Sequence, residues 1–474
     1  MGQKRIADNV HGTIELTEIE SKITDTPCFQ RLRNIKQLGL ANLVYPGTNY
    51  SRLSHSLGVC YLTGRTLDAL KKNTTIDLSP DDEQKYRLAG LLHDIGHYPF
   101  SHATEDAANE FYRAQLLTTT TQQEDDNKSN QEQKTFDNHE ALGAKILQTD
   151  PDISSILESY SIDPLEISRI FNRETPPQYA NLVSSDLDAD RIDFLLRTSR
   201  HSGLPYGSID LDYLLTQLRI DAENKICLTK RAIKAADHFL LGRYFDYQQV
   251  AYHKTVVGLE LMLKEVIHHL LTNDIIDLSS TMIKDKIQDS SWQSYDDNLF
   301  IRHIETLSKD GSNPTIQRIA SSIIKRTPPK LVFQNEHLGE RKNSASDVST
   351  EHTLRKRLLT SEMRRIAEQK GIDPKHWKIW TKDIPLTKIG SHIPVSASVA
   401  SDEPEALDQA IRIMNDENQT SKPIMESQDS LMSVLSDKAL YIERLYVLFP
   451  ATEEGILLRN EIAEEINQAM NRDE

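Results

Sequence analysis

The spacing of apolar positions predicts a mainly helical chain. From Phe29 to Leu40, the residues Phe29, Leu32, Ile35, Leu38 and Leu40 recur mostly at helical spacing, and Asp25-Thr26-Pro27 ahead of them is a helix-start signal. Tyr86 to Ile95, His139 to Leu147 and Tyr179 to Arg197 also read as helical, and Ala232 to Leu271 reads as one long helix or two. Strand signals are sparse. A short alternating run covers Thr13 to Thr17, and an apolar run from Tyr441 to Leu448 stops at Pro450. Glu453 to Met470 reads as a terminal helix, and the stretches 118–135, 334–352 and 396–432 read as loops or linkers because they are polar and aperiodic. The expected architecture is a helical core with a small β element and a C-terminal α/β extension. The core is assigned to residues 1–330, with a mobile insertion at about 118–135, and residues 331–474 form a region for regulation or assembly.

Composition narrows the class of protein. The chain has 474 residues and a formal net charge of −16, which disfavours non-specific nucleic-acid binding and leaves room only for a local basic pocket. Its three cysteines, Cys28, Cys60 and Cys227, lack Cys-x-x-Cys spacing, so neither a disulfide framework nor a thiolate zinc site is implied. No apolar signal core or membrane-length run is present, so a cytoplasmic protein with no membrane partner is expected.

The chemistry concentrates in the run Leu91 to His102. There His93 and Asp94 stand side by side, and His97 and His102 follow. Imidazole and carboxylate are ligands of intermediate hardness, suited to Mn, Fe, Ni or Zn. On a helix, adjacent ligands diverge by about 100°, so one ion must lie at their common edge and take further ligands from elsewhere. His55 and Asp190 combine with the doublet into two imidazoles and two carboxylates, enough to hold one divalent ion with positions left open for water and substrate. Taken alone, His55 also reads as a helix cap. Asp186, Asp190, Asp193 and Arg197 equally suit a solvated ion-pair face.

Longer segments sharpen the picture. They are Val10-His11-Gly12, Asp25 to Gly39, Tyr45-Pro46-Gly47, Arg52 to Gly58, His93 to His102, His139-Glu140, Asp188 to Arg197 and His253-Lys254-Thr255. On them the chain resembles the HD-domain phosphohydrolase superfamily, and within it the deoxynucleoside triphosphate triphosphohydrolases, in order from residue 6 to about 265. The resemblance implies that His55, His93, Asp94 and Asp190 hold one divalent transition metal. It also implies that a dNTP is cut to deoxynucleoside and triphosphate, with Mg on the triphosphate. His102 is the implied acid/base, oriented by Glu105; His97, one helical turn from His93, would bind the α-phosphate, and His139 and Glu140 would flank the site.

The resemblance assigns Arg52, Arg191, Arg243 and Lys254 to phosphate, and Gln37 and Leu38 to the sugar, where a 2′-hydroxyl would be crowded. The chain departs from the pattern at Phe194 and Thr198, where relatives carry Tyr and Asp for the 3′-hydroxyl, and at Ala251, beside which Tyr252 is the available aromatic. Asp25, Gln30 and Arg33 match an allosteric nucleotide site, which implies a nucleotide-regulated homo-oligomer, a tetramer or hexamer, acting in dNTP-pool control or antiphage defence. A phosphodiesterase or nuclease, and a nucleotide-sensing subunit with little catalysis, are the alternatives.

Overall fold

The computed structural model describes residues 4–74, 76, 78–122, 135–172, 177–340, 345–385, 409–415, 417–449 and 452–470. Helix dominates among them. The chain forms two compact units, Met1–Cys227 with Leu263–His303 and Leu228–Met262 with Ile304–Glu474. The sequence reading drew one cut near residue 330. The units interleave instead, because the segment carrying the buried side chains Trp292 and Phe300 returns to the first unit.

The first unit opens with an antiparallel hairpin of β1 (Lys4–Asp8) and β2 (Gly12–Leu16), with Ile6 opposite Ile14. Ile14 and Leu16 are buried, as the alternating pattern predicts. The helix expected from Phe29 to Leu40 is broken. A single turn, Pro27–Gln30, is capped by Thr26 Oγ1, which accepts from the Phe29 N–H at 3.3 Å. A 3₁₀ turn, Arg31–Asn34, follows; then Ile35 is extended and Gly39 adopts φ +49° before a second 3₁₀ turn, Gly39–Leu43. Phe29, Leu32 and Ile35 are still buried. Their helical spacing served a bent chain rather than a rod.

Helix α1 (Arg52–Asn73) is the spine of this unit. It packs against α2 (Pro80–Leu92) and, from the far side of the sequence, helix Ala189–Ser202. Between these lie α3 (His102–Gln122) and α4 (His139–Thr149), the latter capped by Asn138 Oδ1 accepting from the Ala141 N–H at 2.8 Å. Helix Ala189–Ser202, α5, begins ten residues later than Tyr179, where the periodicity had placed it. Asp188 starts it by accepting from the Arg191 N–H at 2.6 Å, and Gly203, at φ +76°, ends it. In the expected insertion at 118–135, α3 continues to Gln122 and residues 123–134 lie outside the described residues.

In the second unit, Ala232 to Leu271 resolves into two helices, Ile233–Asp246 and Lys254–Thr272, separated by a π-helical turn at Tyr247–Ala251. Strands β3 (Lys330–Glu340), β4 (Trp377–Pro385) and β5 (Lys438–Val447) form an antiparallel sheet with β5 in the middle. Helices α6 (Ala345–Lys370) and α7 (Glu453–Met470) contribute to its core with Leu359, Ile366, Ile462 and Ile466, against Phe333 and Leu445. Two loop expectations fail here. In the stretch 334–352, residues 334–340 belong to β3 and 345–352 to α6, whose sparse apolar residues hide the period, while 341–344 lie outside the described residues. In the stretch 396–432, residues 396–408 lie outside the described residues, while Arg412–Met414 and Ser421–Pro423 pair as short strands.

The approach of α1 to α5 depends on Gly58, where a Cβ would stand 1.9 Å from Asp193 Oδ1. Gly58→Ala should therefore cost about 1–3 kcal/mol, the usual range for overpacking a core. Urea unfolding reads it directly; a midpoint equal to that of wild type would refute the tight helix contact.

Candidate metal centre and the histidine cluster beside it

α2 stops at Leu92, and His93 is its C-cap residue. The helical placement of His93, Asp94 and His97 therefore fails: the chain turns through Asp94 to Ser101 in a series of tight bends, and His97 is brought back to the site by that loop. Gly96 makes the bend possible, since a Cβ there would meet the His139 carbonyl oxygen at 2.1 Å. His93 Nδ1 lies 2.9 Å from the Gly90 carbonyl, which can only accept, so Nδ1 carries the proton and Nε2 keeps its lone pair. That Nε2 is buried and makes no hydrogen bond.

Three groups face it. Asp94 Oδ1 is 3.3 Å away and Asp190 Oδ1 3.8 Å away. His55 presents Nε2 to Asp190 Oδ1 at 2.9 Å and to Asp94 Oδ2 at 3.8 Å. The four expected ligands thus converge, and single ligand atoms of His55, His93 and Asp190 all lie within 4.8 Å of one another. Burial works against the positive charge on His55, but hydrogen bonds to Asp190 and Asp193 outweigh it and push its pKa up to about 10. Burial likewise opposes the charge on Asp94, while Arg52, His93 and His97 hold its carboxyl well below the usual range.

A second cluster adjoins the first through Asp94, whose Oδ1 lies 3.1 Å from His97 Nε2. His97 stacks on His139 with ring centroids 4.0 Å apart. Burial, then Arg52 and His139, push the His97 pKa well below that of ordinary imidazole, so this ring is neutral. Glu105 accepts from the His139 N–H at 2.6 Å and from its Nδ1 at 2.9 Å. The bond from His102 Nδ1 to Glu105 is longer, 3.3 Å, and His102 is the half-exposed member. Glu105 thus touches His102 as expected but chiefly fixes His139. Glu140, half-buried, adds its negative charge beside His139.

The HD domain family model matches residues 52–193, the span that holds both clusters. Residues 52–193 form an HD domain. An uncharacterized protein of Methanocaldococcus jannaschii is 32% identical over 305 residues, 64% of this chain and 57% of that protein. The deoxynucleoside triphosphate triphosphohydrolase SAMHD1 of Homo sapiens is 50% identical over 100 residues, 21% of this chain and 16% of its own length. A phosphohydrolase of known structure from Bacteroides thetaiotaomicron shares the fold, with a TM-score of 0.66 at 23% identity over 94% of this chain and all of its own. The chain spans little more than half the length of the first relatives it matches, between 55% and 57%.

The HD domain distributes the remaining expected residues unevenly. Arg52 was assigned to phosphate. It is buried, donating from Nη1 to Asp94 Oδ2 at 2.6 Å and from Nε to Ser101 Oγ at 2.8 Å. Arg191 is likewise engaged, with the Ser185 carbonyl and with Asp186 at 3.0 Å. Gln37 lies before α1 with its Oε1 buried and unbonded, and Leu38 follows it half-buried. Phe194 is half-buried, and Thr198 is fully buried with its hydroxyl 2.7 Å from that of Tyr50. Arg243, Tyr252 and Lys254 belong to the second unit. Arg243 is buried near the Phe239 ring, Tyr252 lies between the rings of Tyr247 and Trp380, and Lys254 is exposed. Of the expected allosteric residues, Asp25 pairs with Lys4 at 2.5 Å, and Gln30 accepts from Arg33 at 2.9 Å.

The sequence reading missed Asp193. Its carboxylate is fully buried and takes His55 Nδ1 at 2.7 Å, His11 Nε2 at 2.6 Å and two nitrogens of Arg197 at 2.8 and 2.9 Å. Arg197 goes on to Asp8 at 2.8 Å. The i, i+4 charges that suited a solvated face are the inner face of α5. The flanking Ile192 and Leu195, both buried, were the available signal.

Glu105 and His139 generate a pH prediction. Despite burial, hydrogen bonds from His102 and His139 hold the Glu105 pKa below its ordinary 4.5, so its stabilisation is present above that value and lost as pH falls. Despite burial, Glu105 raises the His139 pKa above its ordinary 6.5, so that contribution is full below 6.5 and lost as pH rises through the folded value. The Tm deficit of Glu105→Gln should accordingly be largest between pH 4.5 and 6.5 and shrink on both sides. A deficit that stays constant from acid to alkaline buffer would show that the pair is not ionic.

Proposed function

We propose that this HD domain hydrolyses deoxynucleoside triphosphates, releasing deoxynucleoside and inorganic triphosphate. The observation that carries the reading is His93 Nε2, a buried lone pair with no hydrogen bond, facing Asp94, Asp190 and His55 beside a histidine–carboxylate cluster. A lone pair enclosed among carboxylates fits a cation. Two imidazoles and two carboxylates suit Mn, Fe, Ni or Zn, with His55, His93, Asp94 and Asp190 holding the ion. When bound, such an ion lowers the pKa of water and polarises a phosphoryl oxygen.

The chain's own residues supply the rest. Asp193 fixes the tautomer of His55, leaving Nε2 to face the centre. Arg52 holds Asp94 ionised and oriented. His97, neutral and stacked on His139, presents a ring to the α-phosphate. His102, half-exposed and bonded to Glu105, is placed to give a proton to the departing 5′ oxygen. The substrate class follows from the similarity to proteins named deoxynucleoside triphosphate triphosphohydrolase in Homo sapiens and Dictyostelium discoideum. Within the first unit, Gln37, Leu38 and Phe194 would meet the nucleoside; in the second, the resemblance gives Arg243 and Lys254 to the triphosphate with its Mg and Tyr252 to the nucleoside. Asp25, Gln30 and Arg33 would take a regulatory nucleotide between subunits of a homo-oligomer. No described helix is long and apolar enough to cross a membrane.

A nucleotide sensor with little turnover is the second reading. Thr198 favours it, because its hydroxyl is committed to Tyr50 where the resemblance expects a carboxylate for the sugar.

The decisive assay incubates the purified chain with each dNTP, singly and mixed, with Mn²⁺ or Mg²⁺. Equimolar deoxynucleoside and triphosphate are expected. Chelation or Asp94→Ala should abolish them, and His102→Ala should lower kcat by about 10²–10⁴-fold. Mononucleotide release from an oligonucleotide would transfer the assignment to a nuclease. A nucleotide-dependent change in mass without turnover would transfer it to a sensor.

A further inference from the structure

The loop joining the two clusters contains consecutive left-handed residues that are not glycine: Phe100 at φ +55° and Ser101 at φ +52°. Such residues are strained, and a pair in succession persists only where the surroundings enforce it. The enforcing groups lie far away in sequence. Asp297, itself buried, accepts from the Phe100 N–H at 2.8 Å through one oxygen and from the Lys36 N–H at 3.0 Å through the other. Lys36 also pairs with Ser51, which precedes α1. Arg31, stacked 4.3 Å from the Trp292 ring, donates to the carbonyls of Ile95 and His97, both at 2.8 Å.

The strained geometry has a definite product. It turns Ser101 Oγ toward Arg52 Nε at 2.8 Å, while Arg52 Nη1 holds Asp94. It also starts α3 at His102, immediately after the strained pair.

We propose that Asp297 is a positioning residue for the reaction: it holds Phe100–Ser101 left-handed, so that Ser101 locks Arg52 onto Asp94 and His102 stands at the mouth of the site. This deepens the hydrolase reading and rests on it for its kinetic arm. Asp297 touches neither cluster; it acts on Ser101 and His102 through the Phe100 backbone, while its second oxygen ties Lys36 beside the start of α1.

The test uses Asp297→Ala and Asp297→Asn in the full chain, alone and with Ser101→Gly. Asn offers one acceptor where two N–H groups must be met, so it should behave closer to Ala than to wild type. Asp297→Ala should lower kcat about 10–100-fold with KM within about threefold, as a small misplacement of reacting groups does. Glycine adopts the left-handed region without strain. The Ser101→Gly background lacks both the strain and the Ser101–Arg52 bond, so its own kcat should fall and the same substitution should there cost several-fold less; a purely structural role predicts no such coupling. Amide exchange across residues 96–103 tests the clamp without substrate and should accelerate in Asp297→Ala with α5 unchanged. Unaltered exchange there, or a kcat loss equal in both backgrounds, would overturn the proposal. A wild type that turns over no dNTP would sink the hydrolase reading instead, and exchange would still decide the clamp.

Discussion

The first unit is organised around one buried carboxylate. Asp193 lies on α5, fully enclosed, and its two oxygens satisfy His55 on α1, His11 in the β1–β2 turn and Arg197 one turn along α5. A charge in that position is tolerable only while its partners are present; removing one partner of a buried pair typically costs about 3–5 kcal/mol. The same bonds place His55 with Nε2 inward. The contacts that hold the hairpin, α1 and α5 together are therefore also the contacts that aim the His55 ring at the centre. Gly58 belongs to this arrangement, since only a residue without a side chain lets α1 approach the carboxylate.

The candidate ligands could be picked out because their chemistry is local to their side chains. His55, His93, Asp94 and Asp190 stand out as residue types, and all four converge in space. The polypeptide path between them was harder to read. A helical phase for His93 and His97 is a statement about backbone, and α2 ends at Leu92. The partner of Arg52 was hidden for a related reason: a cation looks free in sequence, whereas the fold sets Asp94 2.6 Å from it. Burial decides such cases, and burial is a property of the whole fold.

The second unit shows the same division. β5 was readable because the central strand is buried almost throughout, and α7 because its bounds match the apolar run. β3 is an edge strand with much of its length exposed, so its sequence carries little apolar signal. The interleaving of the two units left no mark on composition at all. It depends on which segments bury Trp292 and Phe300, a long-range choice that no local window samples.

That interleaving has a consequence for biosynthesis. Phe100 and Ser101 leave the ribosome nearly 200 residues before Asp297. At typical elongation rates of about 5–20 residues per second, the strained loop waits on the order of 10–40 s for the carboxylate that restrains it. During that interval Arg31 can already hold the Ile95 and His97 carbonyls, but the Phe100 N–H lacks its Asp297 partner. A chain released before the returning segment would keep His55, His93, Asp94 and Asp190 yet lack the carboxylate that bonds Phe100 and Lys36.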